Sequence, residues 1–156
     1  MPILARLKRF LDENQVSYET SAHPETYTAQ EIAAALHVPG GCLAKVVMVK
    51  AGERFYMMVL PASYRIDWEK VREVLKEKEV RLATEAEFKD LFPDCEVGAM
   101  PPFGNLYNLP VYVDPSMTGC GTMVFQAGTH IDVVKMQYSD FERLVRPKVE
   151  DFAIHL

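Results

Sequence analysis

The spacing of apolar and polar residues predicts an irregular series of helices and strands. Apolar positions recur at helical intervals near the start of the chain and predict an amphipathic helix that ends near Asn14. Two largely apolar runs, 43–49 and 54–60, are typical of strands, and the short turn between them predicts a β-hairpin. Further extended segments are predicted at 16–18, 111–113, 122–126 and 130–136.

Capping residues mark the starts of four further helices. Thr28, Thr84 and Ser139 each precede a glutamate by three residues, which is the signature of a capping box, and Asp67 is a favourable N-cap residue. Helices and strands do not alternate regularly, so we predict one α+β domain over residues 1–156 with a mixed, largely antiparallel sheet. The helices are expected over 29–36 and 68–76, from 85 to Pro93, and from 140 to about 145.

Lys45 interrupts the apolar run 43–49 and is the most informative residue of the chain. Both faces of this strand carry apolar side chains, so the strand is expected to be covered on both sides. An ammonium there must reach solvent along its methylenes, find a partner or line a cavity, because burying it unpaired is costly. The strand alone supports a structural and a functional lysine equally.

A glycine- and proline-rich loop at 97–105 is the second candidate feature. Gly98 and Gly104 bracket Pro101 and Pro102, and these residue types fix a tight backbone path. Such a loop can present main-chain N–H and C=O groups to a ligand. Taken alone, it is more typical of a structural turn.

Composition and charge exclude several classes of function. The net charge of −5 argues against a broad nucleic-acid surface, since such surfaces neutralise phosphates. No apolar stretch approaches the roughly 20 residues that span a bilayer, and the N-terminus lacks the apolar core of a signal peptide. The three cysteines are far apart, which predicts reduced thiols and a cytoplasmic protein.

The histidines lack the spacing of a metal site, and no metal or cofactor is predicted. Only His130, in the Gly-Thr-His segment, is retained as a candidate site residue. Cys42 lies three residues before Lys45, and a strand period would place the two on opposite faces, which argues against a Cys–Lys dyad. No nucleophile elbow, P-loop or dinucleotide-binding motif is present.

The Lys45 strand is followed some fifty residues later by Gly98-Ala99-Met100-Pro101-Pro102-Phe103-Gly104. This combination resembles the YbaK/ProX family of aminoacyl-tRNA deacylases, which includes the editing domain inserted in bacterial prolyl-tRNA synthetases. The similarity extends over nearly the whole chain. It implies a curved mixed sheet of about six or seven strands flanked by helices.

The resemblance also implies a function: trans-editing hydrolysis of the ester of a mischarged tRNA, most often tRNA for proline carrying a small non-cognate amino acid. The partners would be the tRNA acceptor end and a prolyl-tRNA synthetase. The lysine at position 45 and the glycine at position 98 match family positions that engage the ester and the aminoacyl group, with a substrate ribose hydroxyl helping to activate water. The implied substrate-binding residues are Ala99, Met100, Pro101, Pro102, Phe103 and Gly104. Tyr27, which is close in sequence to the motifs, and His130 are added as candidates.

One departure from the family pattern bears on specificity. Pro101 stands where many members have Ser or Thr, so the amino acid that is removed cannot be carried over from other branches. Two alternatives remain open. One is a non-catalytic module that binds an amino acid or aminoacyl-tRNA, and the other is a hydrolase of free aminoacyl esters that needs no tRNA.

Overall fold

A computed structural model describes residues 4–24 and 28–156 of the chain. Tyr27 lies outside these residues. The helices are α1 (Ala5–Glu13), α2 (Ala29–Ala35), α3 (Trp68–Leu75), α4 (Glu85–Phe88), α5 (Pro115–Thr118) and α6 (Tyr138–Val145). The strands are β1 (Tyr18–Ala22), β2 (Ala44–Ala51), β3 (Arg54–Pro61), β4 (Tyr64–Ile66), β5 (Val80–Leu82), β6 (Val111–Val113), β7 (Thr122–Gln126), β8 (Asp132–Gln137), β9 (Lys148–Val149) and β10 (Ala153–His155). Short 3₁₀ turns lie at Gly40–Cys42, Lys89–Leu91 and Gly104–Tyr107.

The strands form three hydrogen-bonded sheets. The largest has the order β5-β2-β3-β6-β9, with antiparallel pairing among the first three strands and parallel pairing to β6 and β9. A second, antiparallel sheet has the order β1-β8-β7, and β10 pairs with β4. A parallel bridge between Leu43 and Val124 connects the second sheet to the start of β2. The predicted α+β fold with mixed, mostly antiparallel pairing is confirmed.

The described strands outnumber the six or seven that the resemblance implied. The additional strands are short, and several carry no hydrophobic run that would mark them. β1 begins at Tyr18 and runs to Ala22, beyond the predicted extended segment, because its mostly polar residues pair along the edge of β8. Backbone pairing at the sheet edge, and not side-chain patterning, specifies this strand.

Apolar clusters cover both faces of β2, as predicted. Met48 belongs to the main core, which also contains Leu7 and Leu11 of α1. Val49 faces a second cluster with Val71 of α3 and Phe152. β2 is therefore an interior strand, and a charged side chain on it needs a specific explanation.

Two of the three predicted capping boxes are confirmed. Thr28 Oγ1 accepts a hydrogen bond from the Glu31 amide at 3.1 Å, and Thr84 caps α4 in the same way. The box at Ser139 is wrong, because α6 begins at Tyr138, two residues before the predicted start at 140, and Gln137 is its N-cap. The Tyr138 side chain is buried in the core, and its amide, the first of the helix, donates to Gly121 O at 3.0 Å instead of to a capping side chain.

The prediction of reduced thiols is wrong for two of the three cysteines. Cys42 and Cys120 form a disulfide with Cα atoms 5.8 Å apart, whereas Cys95 is free. The two cysteines are 78 positions apart in the sequence, but the Leu43–Val124 bridge brings the turns that carry them together. The sequence spacing contained no signal of this pairing. Cys42 also precedes β2, so the argument from strand faces does not apply to it.

None of the described helices is long and apolar enough to cross a membrane.

Candidate functional site

The edge of β2 that faces away from β3 is open over a short stretch in the described part of the chain. At one end Leu43 bridges Val124, and at the other end residues 49–51 pair with β5. Between these pairings the strand borders a cavity of about 220 Å³. Helix α2, strand β7 and the loop at 98–100 supply its other walls.

Backbone groups of β2 also point toward this opening. In antiparallel pairing, successive residues direct their N–H and C=O groups alternately toward and away from the partner strand. Leu43 O accepts from Ala62 N on the β3 side, and Met48 O accepts from Ala83 N on the opposite side. The same alternation directs the N–H and C=O of Val46 toward the open edge. The cavity therefore has backbone polar groups beside its apolar side chains.

Lys45 lines this cavity. Its side chain is partly buried, and among the described residues no hydrogen bond or ion pair holds its ammonium. Burial lowers the pKa of Lys45 below its ordinary value, because the charged form loses hydration. Lys50, on the same strand, differs in that its ammonium pairs with Glu87 at 3.0 Å. The cation at position 45 is thus left available to a ligand.

The remaining lining is almost entirely apolar. In the part of the chain that the structure describes, Lys45 and Gln126 are the only lining residues with polar side-chain termini. Ile32 from α2 and Val133 from β8 belong to a small hydrophobic cluster that forms one side of the cavity. The other lining residues are Leu43, Ala44, Val46, Ala62, Gly98, Met100 and Phe125.

Gly98 requires its residue type. Its φ of +86° lies in the left-handed region that favours glycine. A Cβ atom at this position would lie 3.5 Å from His130 Cε1, which is an ordinary contact. The backbone conformation, and not lack of space, accounts for glycine here.

The turn between β7 and β8 holds the Gly98 loop in place. Glu96 N donates to Gly128 O at 2.8 Å, and Gly128 N donates to Ala99 O at 2.9 Å. His130 adds two contacts: its backbone N–H donates to Glu96 Oε1 at 2.7 Å, and its Nε2 lies 2.8 Å from Val97 O. These hydrogen bonds bring His130 beside Gly98, although His130 is not among the residues that line the cavity.

The structure brings only some of the predicted site residues to the cavity. Lys45, Gly98 and Met100 line it together. Ala99 and Phe103 are fully buried, and a Cβ on Gly104 would lie 2.7 Å from a methyl group of Val111. Pro101 and Pro102 are also buried and outside the lining. Substrate binding by these residues, by His130 and by Tyr27 remains a prediction.

Sequence reasoning missed Gln126, Ile32 and Val133 as cavity residues. Gln126 ends a strand segment that was predicted, and its polarity after four less polar residues was the only available signal. Ile32 and Val133 are typical core residues in the sequence. Only the packing of α2 against the β7–β8 hairpin places them beside Lys45.

Within the described residues, no three His, Cys, Asp or Glu side chains are grouped as metal ligands. Cys95 lies elsewhere in the fold, where its Sγ is 3.4 Å from the Tyr107 hydroxyl.

Similar proteins include proline–tRNA ligases and solved structures of comparable size. The ligase of Bacillus cereus strain G9842 is 26% identical over 103 residues, and that of Thiobacillus denitrificans is 32% identical over 81 residues. These alignments cover 66% and 52% of this chain but only 18% and 14% of the ligases. The chain thus spans less than a fifth of the length of the ligases it matches.

Two solved structures share the fold at low sequence identity. A crystal structure of a protein proposed to be a trans-editing enzyme for prolyl-tRNA synthetase superimposes with a TM-score of 0.84, at 22% identity, over 99% of this chain and 98% of that one. Hypothetical protein APE2540 gives a TM-score of 0.83 at 20% identity, over 96% of this chain and 99% of that one. Residues 23–144 match the aminoacyl-tRNA editing domain, and the chain belongs to this family.

Proposed function

We propose that this protein is a trans-editing deacylase that hydrolyses the ester of a mischarged aminoacyl-tRNA. The Lys45 ammonium, which has no partner among the described residues and lies in a mostly apolar cavity, is the observation that carries this proposal. Membership of the editing-domain family and similarity to part of the proline–tRNA ligases support it. We further propose tRNA for proline, bearing a small non-cognate amino acid, as the substrate.

The chemistry of ester hydrolysis explains why a cation belongs in the cavity. Attack of water on the ester builds negative charge on the carbonyl oxygen, and a positioned donor or cation stabilises that charge. Partial removal from water strengthens this effect, because the effective dielectric constant falls. Lys45 acts in this scheme through its charge. As a nucleophile it would form an amide with the aminoacyl group, and that product would not turn over.

The cavity has room for an acyl group. Its walls are mostly apolar and its volume is about 220 Å³, so it can accommodate a short side chain. The Val46 backbone at the open edge of β2 and the Gly98 loop are available to orient the ester. Catalysis then depends on positioning and electrostatics, without a covalent intermediate.

No lining residue of the described chain carries a carboxylate or imidazole that would serve as a general base. We therefore propose that a hydroxyl group of the terminal ribose activates the water. This assignment makes the reaction substrate-assisted, and the protein supplies orientation and charge.

The proposed partners follow from the charge of the chain. With a net charge of −5, the protein has little capacity to neutralise many phosphates, so contacts are proposed for the acceptor end only. A prolyl-tRNA synthetase would then supply further tRNA contacts. The cytoplasm, where tRNAs are aminoacylated, is the proposed location.

Single-turnover deacylation of a mischarged tRNA panel tests the proposal. The panel contains Ala-, Cys- and Ser-tRNA for proline, and the proteins are wild type, Lys45→Ala and Lys78→Ala. We expect hydrolysis of at least one species, with a loss of roughly 10²- to 10³-fold in Lys45→Ala, the usual effect of removing one stabilising donor. Lys78 is exposed on the surface, so Lys78→Ala removes the same charge and should retain the wild-type rate.

Two outcomes would contradict the proposal. Stable ester on every tRNA, with folded wild-type protein, would favour the binding module. Equal rates for wild type and Lys45→Ala would remove Lys45 from the mechanism. Added salt should slow turnover on tRNA, whereas a hydrolase of free aminoacyl esters would be insensitive to it.

A further inference from the structure

Gln126 is the second polar side chain of the cavity, and the proposed chemistry leaves it without a role. We infer that the Gln126 carboxamide oxygen binds the α-amino group of the aminoacyl substrate and so selects esters whose amine is free. This inference rests on the proposed function, because it assumes an aminoacyl group in the Lys45 cavity.

The position of Gln126 fixes the direction of its side chain. It is the last residue of β7 and pairs with Val133 of β8, which also lines the cavity. Its Nε2 donates to the backbone oxygen of His130 at 3.4 Å. The nitrogen is therefore directed to the β7–β8 turn, while Oε1 has no hydrogen-bond partner among the described residues and keeps its acceptor capacity.

The chemistry of the lining leaves this oxygen as the one suitable side-chain acceptor. An α-amino group is a hydrogen-bond donor whether or not it is protonated. Lys45 has three donors and no acceptor when charged, and it repels a second ammonium. The other lining side chains in the described part of the chain are apolar. Without Gln126, the amine would lose water in the cavity and regain no side-chain partner, which is costly.

This arrangement defines a class of excluded substrates. Peptidyl-tRNA and N-formylated aminoacyl-tRNA carry the same ester, but their nitrogen is an amide with a bulky substituent. Such a group brings one N–H donor at most and must place its acyl substituent beside Gln126. A deacylase that requires a free amine would hydrolyse mischarged tRNA and would not hydrolyse peptidyl-tRNA or N-formylated aminoacyl-tRNA.

Binding of stable substrate analogues tests the inference directly. The probes are 3′-alanylamido-3′-deoxyadenosine, in which an amide replaces the ester, and its N-acetyl derivative. Calorimetry would measure both dissociation constants for wild type, Gln126→Leu and Gln126→Glu. We expect wild type to bind the free-amine probe more tightly than the N-acetyl probe. Gln126→Leu should lose about 10- to 100-fold in affinity for the free-amine probe, which is the effect of removing one hydrogen bond to a charged group, and should bind the N-acetyl probe almost unchanged.

Gln126→Glu separates recognition from support of the loop. Glutamate keeps an acceptor oxygen but cannot donate to the His130 carbonyl, so it should retain the preference for the free amine. An equal loss of affinity in both variants, or for both probes, would show that Gln126 only supports the turn and would overturn the inference. An unchanged preference in folded Gln126→Leu would also overturn it.

Hydrolysis of mischarged tRNA by wild type is measured separately. Selective binding without hydrolysis would uphold recognition by Gln126 and refute the deacylase. Hydrolysis without amine selectivity would uphold the deacylase and refute recognition by Gln126. Failure of wild type to bind either probe would refute the inference.

Discussion

Reduction of the Cys42–Cys120 disulfide should lower the free energy of unfolding substantially. The bond closes a loop with a sequence separation of 78 residues. A cross-link of this kind restricts the unfolded chain, and its removal restores conformational entropy to that state. For a loop of this length the chain-entropy relation gives about 4.5 kcal/mol at 25 °C.

The same magnitude predicts the change in melting temperature. For a domain of this size, 1 kcal/mol corresponds to roughly 2–4 °C, so the reduced protein should melt about 9–18 °C below the oxidised protein. Urea unfolding followed by circular dichroism, with and without a dithiol reductant, measures the free energy directly. Thiol titration of each denatured sample establishes its redox state.

Two variants control this measurement. Cys42→Ala/Cys120→Ala should be insensitive to reductant, whereas Cys95→Ser should show the full difference, because Cys95 is not part of the bond. Equal unfolding free energies for oxidised and reduced wild type would refute the entropic reasoning. Three titratable thiols in the unreduced, denatured protein would refute the pairing itself.

Three further predictions concern single residues. Lys45→Met should be at least as stable as wild type at pH 7. Burial lowers the folded-state pKa of Lys45, so the free-energy cost of burying its charge is present at neutral pH and disappears as the pH rises to about 10.5. Urea unfolding at both pH values should show a stability difference that closes at the higher pH, and a variant less stable than wild type at pH 7 would contradict this. Gly98→Ala and Gly52→Ala should each lower the free energy of unfolding by about 1–2 kcal/mol, since both glycines have positive φ. Only Gly98→Ala should lose deacylase activity, and equal activity of the two variants would show that Gly98 does not contribute to the site. Asp114→Ala should lower the free energy of unfolding by about 3–5 kcal/mol in urea, because the buried carboxylate accepts hydrogen bonds from the amides of Phe152 and Ala153 at 3.0 Å each. A loss below about 1 kcal/mol would contradict that role.

The elements that the sequence predicted correctly are those with a local signal. The hairpin of β2 and β3 follows from two apolar runs and a short turn, and the helix starts at Thr28 and Thr84 follow from side chains that bond to nearby amides. Ser139 presents the same spacing as those threonines, yet burial of Tyr138 moves the helix start. Local signals hold until a core contact outweighs them.

The features that the sequence could not predict depend on long-range contacts. The disulfide forms because two turns meet across a bridge between β2 and β7, and neither turn is informative alone. Gln126 and Ile32 reach the Lys45 cavity from separate elements for the same reason. Lys45 could be singled out because a cation in an apolar strand conflicts with its own neighbours, and that conflict is visible without a structure.

The comparison of Lys45 with Lys50 supports the proposal that the cavity is the functional part of this fold. Both lysines lie on β2, but among the described residues only Lys50 pairs with a carboxylate, that of Glu87. A carboxylate within reach of Lys45 would remove the cost of its burial, and it would also cancel the charge that a developing oxyanion needs. The open edge of β2 therefore combines a cation, a free acceptor at Gln126 and apolar walls. This combination is what the proposed substrate requires, because an aminoacyl ester carries an amine that needs an acceptor and a carbonyl oxygen that needs a cation.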